Sequence, residues 1–104
     1  MDNTALDIAV KADGGKTTIV LNGRLNTMTS SELQDRINSI IPGATALDLD
    51  FAGIEHIASA GLRVLAATEE RLREVDGTMR ILNANSIVRE IFDMTGFSDI
   101  LTIV

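Results

Sequence analysis

"EHIASAGLRVL", Glu55 to Leu65, joins an alternating segment to an amphipathic one through four residues with almost no side chain: Ala58, Ser59, Ala60 and Gly61. Upstream, "ALDLDF" sets Leu47, Leu49 and Phe51 against Asp48 and Asp50, a period of two that predicts a strand. Downstream, Leu62, Leu65, Ala66, Leu72 and Val75 recur along one helical face, while Arg63, Glu70, Arg71 and Glu74 fall away from it. Asp76-Gly77 ends this helix. A strand that runs through a small-residue turn directly into a helix is the first half of a crossover unit, which makes parallel strand pairing the expectation.

The same punctuation extends to both sides. Leu6, Ile8 and Val10 alternate with Asp7, Ala9 and Lys11, "ADGGK" turns the chain, and the β-branched "TTIVLNG" completes a hairpin from Leu6 to Gly23. Thr29 followed by Glu32 has the form of a capping box, Leu33, Ile37, Ile40 and Ile41 recur with helical spacing, and Pro42-Gly43 stops that helix. Beyond the central stretch, "MRIL" reads as a short strand. Ser86 caps a third helix that carries Ile87, Val88, Ile91 and Phe92 and ends at Gly96, and "DILTIV" closes the chain as a last strand. The order ββαβαβαβ predicts an α/β fold with one mixed sheet, an N-terminal antiparallel hairpin and largely parallel later strands joined by right-handed crossovers. The 104 residues, 45% hydrophobic and 23% charged, contain no repeat or linker, which predicts a single domain over 1–104.

Nine Lys plus Arg against fifteen Asp plus Glu give a net charge of −6. Bulk electrostatics therefore oppose phosphate backbones and anionic lipid, so neither nucleic acid nor a membrane is expected as a partner. With no cysteine there is no disulfide framework and no thiolate zinc site. "MDNTALDIAV" lacks a basic region followed by an apolar run, and no segment is apolar for long enough to span a bilayer. The expected compartment is the cytoplasm.

Catalytic signatures are weak. "GGKTT", Gly14 to Thr18, imitates the end of a phosphate-binding loop, but Val10 stands where the first glycine belongs and the segment leads into a strand. His56 is the only histidine, with no carboxylate cluster at metal-ligand spacing around it. Asp48 and Asp50 read as the polar face of a half-buried strand. Ser59 lacks a G-x-S-x-G context and any assigned base. No enzyme, metal or cofactor is expected.

Ser59 itself admits two readings. By position it is an N-cap, its oxygen accepting from the amide of Gly61 or Leu62. The same place, with free amides and the positive end of a helix dipole, also tolerates a phosphate. A phosphoserine would bring about −1.5 to −2 units of charge to a turn of small residues and so alter its outer surface.

The element order and the segments "VLNGRLNTMTSSEL", "LDLDFAGIEHIASAGLRVL" and "VREIFDMTGFSDIL" resemble the STAS domain of bacterial anti-sigma factor antagonists over nearly the whole chain. The resemblance implies protein–protein signalling in transcription regulation. In that family a serine in the turn before Gly-Leu is phosphorylated by a partner that is both anti-sigma factor and serine kinase; Ser59 occupies that place. The unmodified protein would bind the anti-sigma factor and free a sigma factor. The contact surface it implies takes in the "LNTMTS" segment from Leu25 to Ser30, with Asn26, Thr27, Thr29 and Ser30, the turn residues Ala58, Ser59, Ala60, Gly61 and Leu62, and Arg63 on the following helix. The family often has aspartate where this chain has Ala58 and Asn26, so one neighbourhood loses two carboxylates. Two other readings stay open at this point: a ligand-sensing or scaffold STAS module without phosphorylation, and a serine hydrolase using Ser59.

Overall fold

The computed structural model describes residues 6–41 and 43–104. The expectations made for Met1–Ala5 and for Pro42 lie outside the described residues. The elements run β1 (Asp7–Asp13), β2 (Lys16–Leu25), α1 (Thr27–Ile40), β3 (Ala46–Ile57), α2 (Ser59–Glu74), β4 (Thr78–Leu82), α3 (Ser86–Thr95), a short 3₁₀ turn (Phe97–Asp99) and β5 (Thr102–Ile103). Strands lie in the sheet in chain order, β1-β2-β3-β4-β5. β1 pairs antiparallel with β2 across the Gly14-Gly15 turn, where both residues have positive φ (56° and 91°), a conformation suited to a two-residue hairpin. All later pairs are parallel. This is the predicted mixed α/β sheet.

Parallel strands laid down in chain order require each intervening helix to cross on the same side. The extents of 34 × 32 × 20 Å are those of two layers, one sheet and one row of helices. Between them lies one core: Ile19, Leu21, Leu47, Leu49 and Ile81 from the sheet meet Leu33, Ile37, Leu65, Leu72 and Val88 from the helices. Phe51 and Phe92 pack with ring centroids 6.3 Å apart, which ties α3 to the centre of the sheet. The hairpin alternation is only partly used: Leu6 is buried, Ile8 half-buried and Val10 39% exposed. The last strand is also shorter than predicted, because Phe97–Asp99 turns before Leu101 enters the core.

The opposite face of the sheet is the polar one, as expected for Asp48 and Asp50, but on it Asp48 is only 3% exposed. Its carboxylate accepts from Arg80 Nε at 2.9 Å and Arg80 Nη2 at 2.7 Å, with Lys16 Nζ at 3.1 Å. The Arg80 hydrogen bonds hold its carboxyl below the ordinary carboxylate range, burial works against them, and Lys16 adds to them. A depressed folded-state pKa stabilises the protein above the unfolded-chain value of about 3.9 and loses that contribution as pH falls through the folded value. Asp48→Asn is therefore expected to cost about 1–2 kcal/mol at pH 7. This lies below the 3–5 typical of a fully buried pair, because Arg80 and Lys16 keep 43% and 47% of their side chains exposed to screening water. Thermal melts of wild type and variant should converge towards pH 2.

Candidate functional site

β3 is aimed at the site by two irregularities in its pairing with β2. Val20 and Asn22 face Asp50 and Gly53, and Gly23 and Arg24 face Ile54 and His56, so β3 twice gains a residue on its neighbour. Bulges twist a strand and redirect its end. Asp50 supports the first of them, its Oδ1 accepting from Ala52 N at 3.0 Å and from Asn83 Nδ2 at 3.1 Å. Asp48 and Asp50 thus do separate jobs and form no paired carboxylate site.

At the end of β3, Ala58 N donates to Leu25 O at 2.8 Å, which brings the Ala58–Leu62 turn against the β2–α1 junction. The small residue at position 61 makes this approach possible: a Cβ there would lie 2.8 Å from Ile57 Cγ1 and 3.0 Å from Leu25 Cβ. Ser59 is not the N-cap. Ala58 has the extended cap conformation (φ −94°, ψ 173°) and no side chain to close it, while Ser59 is already the first helical residue. Gly61 N and Leu62 N both donate to Ala58 O, and the amides of Ser59 and Ala60 have no partner among the described residues. Ser59 is exposed, with Ala58 and Ala60 half-buried beside it. Because an aspartate at the cap would accept from the first-turn amides, Ala58→Asp is expected to stabilise the fold by about 1 kcal/mol, read as a melting temperature about 4–8 °C higher.

Asn26 has the opposite role to a missing charge. It is the N-cap of α1, its Oδ1 accepting from Met28 N and Thr29 N at 2.9 Å each. Thr29 is the return half of the box rather than its start: its Oγ1 accepts from Asn26 N at 2.9 Å and donates to Arg24 O at 2.6 Å. Asparagine caps as well as aspartate does, so the helix start is kept while a charge is lost.

Of the residues assigned to the contact surface, the structure exposes Thr27, Ser59 and Arg63, half-exposes Asn26, Ala58 and Ala60, and buries Thr29, Ser30, Gly61 and Leu62. Of the buried four, Thr29 closes the cap of α1 and Gly61 lets α2 seat against Leu25 and Ile57. Met28, inside the segment from Leu25 to Ser30 that the resemblance assigns to the contact surface, is 75% exposed at the second position of α1.

Ser59 Oγ makes no hydrogen bond to His56 or to any carboxylate among the described residues. No group of three or more metal-ligating side chains is found among them either. An open groove of about 310 Å³, lined by Ala66, Glu69, Glu70, Arg73 and Ile100, lies on the later turns of α2, away from the Ala58–Gly61 turn. None of the described helices is long and apolar enough to cross a membrane.

A family model described as "Mlab, STAS domain" matches residues 8–103. The chain belongs to the STAS domain family of anti-sigma factor antagonists. It is 30% identical over 84 residues to a protein of Bordetella bronchiseptica named "Putative anti-sigma factor antagonist BtrV", covering 80% of this chain and 72% of that one. The crystal structure of an anti-sigma factor antagonist from Mycobacterium paratuberculosis superimposes with a TM-score of 0.87 at 22% identity, over 98% of this chain and 87% of that chain. Bacillus SpoIIAA, a cell fate determinant solved in its phosphorylated form, superimposes at 0.75 and 18% identity, over 94% and 91%.

Proposed function

We propose that this chain is an anti-sigma factor antagonist that acts in the cytoplasm. With Ser59 unmodified it binds an anti-sigma factor and frees a sigma factor; phosphorylation of Ser59 by the serine kinase activity of that partner ends the binding. The catalytic groups and ATP belong to the partner, so this chain is substrate and competitor rather than enzyme. The observation that carries the reading is an exposed serine at the first position of α2 in a STAS family member, at a turn whose neighbours have almost no side chain.

The physical case concerns the surface rather than the fold. A phosphate at a helix start lies where the dipole favours negative charge, so folding should tolerate it. A partner fitted flush against Ala58 and Ala60 would meet bulk and two negative charges there. Thr27, Met28 and Arg63 are exposed on the adjoining helix starts, with Arg24, Glu55 and His56 exposed at the strand ends, and Met28 supplies apolar area. Calorimetric titration of the cognate anti-sigma factor with the unmodified chain tests the first half of the proposal. A saturable one-to-one complex is expected; no heat and no co-elution from a sizing column would refute it.

A further inference from the structure

Ser59 and Arg63 stand four residues apart on the exposed face of α2, both exposed. Residues at that spacing are surface neighbours, with Cβ atoms about 5–6 Å apart. Helical side chains lean towards the N-terminus, so a long side chain at 63 covers the turn that holds residue 59. The other positions facing Arg63 along the helix are Ala60, Ala66 and Ala67, none of which carries charge. Among the described residues Arg63 forms no ion pair, whereas Arg73 is paired with Glu69 on the same helix and Arg80 with Asp48. The nearby cation on the neighbouring strand, Arg24, is engaged by Glu55 at 3.7 Å.

We infer that Arg63 is the internal receptor for the phosphate on Ser59: once the serine is phosphorylated, the guanidinium closes on it within the same helix. The inference rests on the proposed phosphorylation of Ser59. In that step Ser59 Oγ attacks the γ-phosphorus of a nucleoside triphosphate held by the partner. The Oγ–P bond forms, the bond from the γ-phosphorus to its bridging oxygen breaks, a nucleoside diphosphate leaves, and the hydroxyl proton passes to a base of the partner. The order of charges, negative group first and arginine four residues later, is the favourable one for a helix. Arginine also presents paired N–H donors to phosphate oxygens, which lysine does not. Phosphorylation then does two things to the surface, adding the phosphate's bulk and withdrawing Arg63 from any partner it could contact.

The test installs phosphoserine at position 59 during synthesis of the full chain, without the kinase, and follows the phosphorus-31 resonance through its second ionisation. Wild type, Arg63→Gln, Arg63→Lys and Arg24→Gln are compared; His56 and Glu55, the other titratable groups at the end of β3, are present in all four. Arg63→Gln is expected to raise that pKa by about 0.3–0.5 unit, a two- to threefold change in proton affinity. Arg63→Lys should recover part of the difference, and Arg24→Gln should match wild type. Identical titrations for wild type and Arg63→Gln, or a shift confined to Arg24→Gln, would overturn the inference. Because the phosphate is placed without the kinase, a kinase that leaves Ser59 unmodified bears on the switch alone.

Discussion

Gly61→Val is expected to lower the melting temperature by about 10–20 °C and to weaken partner binding, although residue 61 is buried. A side chain there must displace Ile57 Cγ1 and Leu25 Cβ, atoms close to the backbone of two buried residues that cannot swing aside. Overpacking of this kind costs about 1–3 kcal/mol, and each kcal/mol moves the melting temperature of a domain this size by about 4–8 °C. Helix propensity works in the other direction: alanine gains about 0.5–1 kcal/mol over glycine within a helix, so Gly61→Ala should show a much smaller net loss. Valine gains less and clashes more. Relief of the clash pushes the start of α2 away from Leu25 and carries Ser59 with it, which is why binding falls as well as stability. Circular-dichroism melts of both variants check the order. A valine variant melting within about 2 °C of wild type would mean that α2 is not seated on Leu25 and Ile57.

The order of elements was legible because each strand and helix carries its period in its own residues. The helix starts were displaced by one to three positions, at Thr29, Ser59 and Ser86, for a common reason. An N-cap is defined by extended backbone, and that is set by where the preceding segment ends; the residues occupying it are Asn26, Ala58 and Asn85. Asn85 is fixed twice over, its Oδ1 accepting from Val88 N and its Nδ2 donating to Ile54 O on β3. Serine and threonine just inside a helix give the same sequence signal as a cap. What depends on register across strands left no local trace: the two bulges of β3, and the different fates of Asp48 and Asp50, which look alike in "ALDLDF" until Arg80 is placed beside one of them. At the site, the small-residue turn located Ser59. Only the packing against β2 separates Arg63, Thr27 and Met28 on the surface from Thr29, Ser30, Gly61 and Leu62 beneath it.

Phosphorylation of Ser59 is expected to reduce affinity for the anti-sigma factor by about a hundredfold or more, since a charged group buried unpaired at a flush interface costs several kcal/mol and each 1.4 kcal/mol is tenfold. Ser59→Ala should bind as the unmodified chain does. Its stability should change by no more than about 0.5 kcal/mol, because Ser59 is exposed and does not cap α2. Ser59→Asp, with one charge and without a phosphate's three oxygens, should lose affinity only in part. The most direct measurement is incubation with the cognate anti-sigma factor kinase and ATP, read by intact mass. One phosphoryl group on wild type and none on Ser59→Ala is the predicted result. Wild type left unmodified under conditions that phosphorylate Ala58→Asp would contradict the account, leaving a binding module whose turn lacks the carboxylate that the kinase requires.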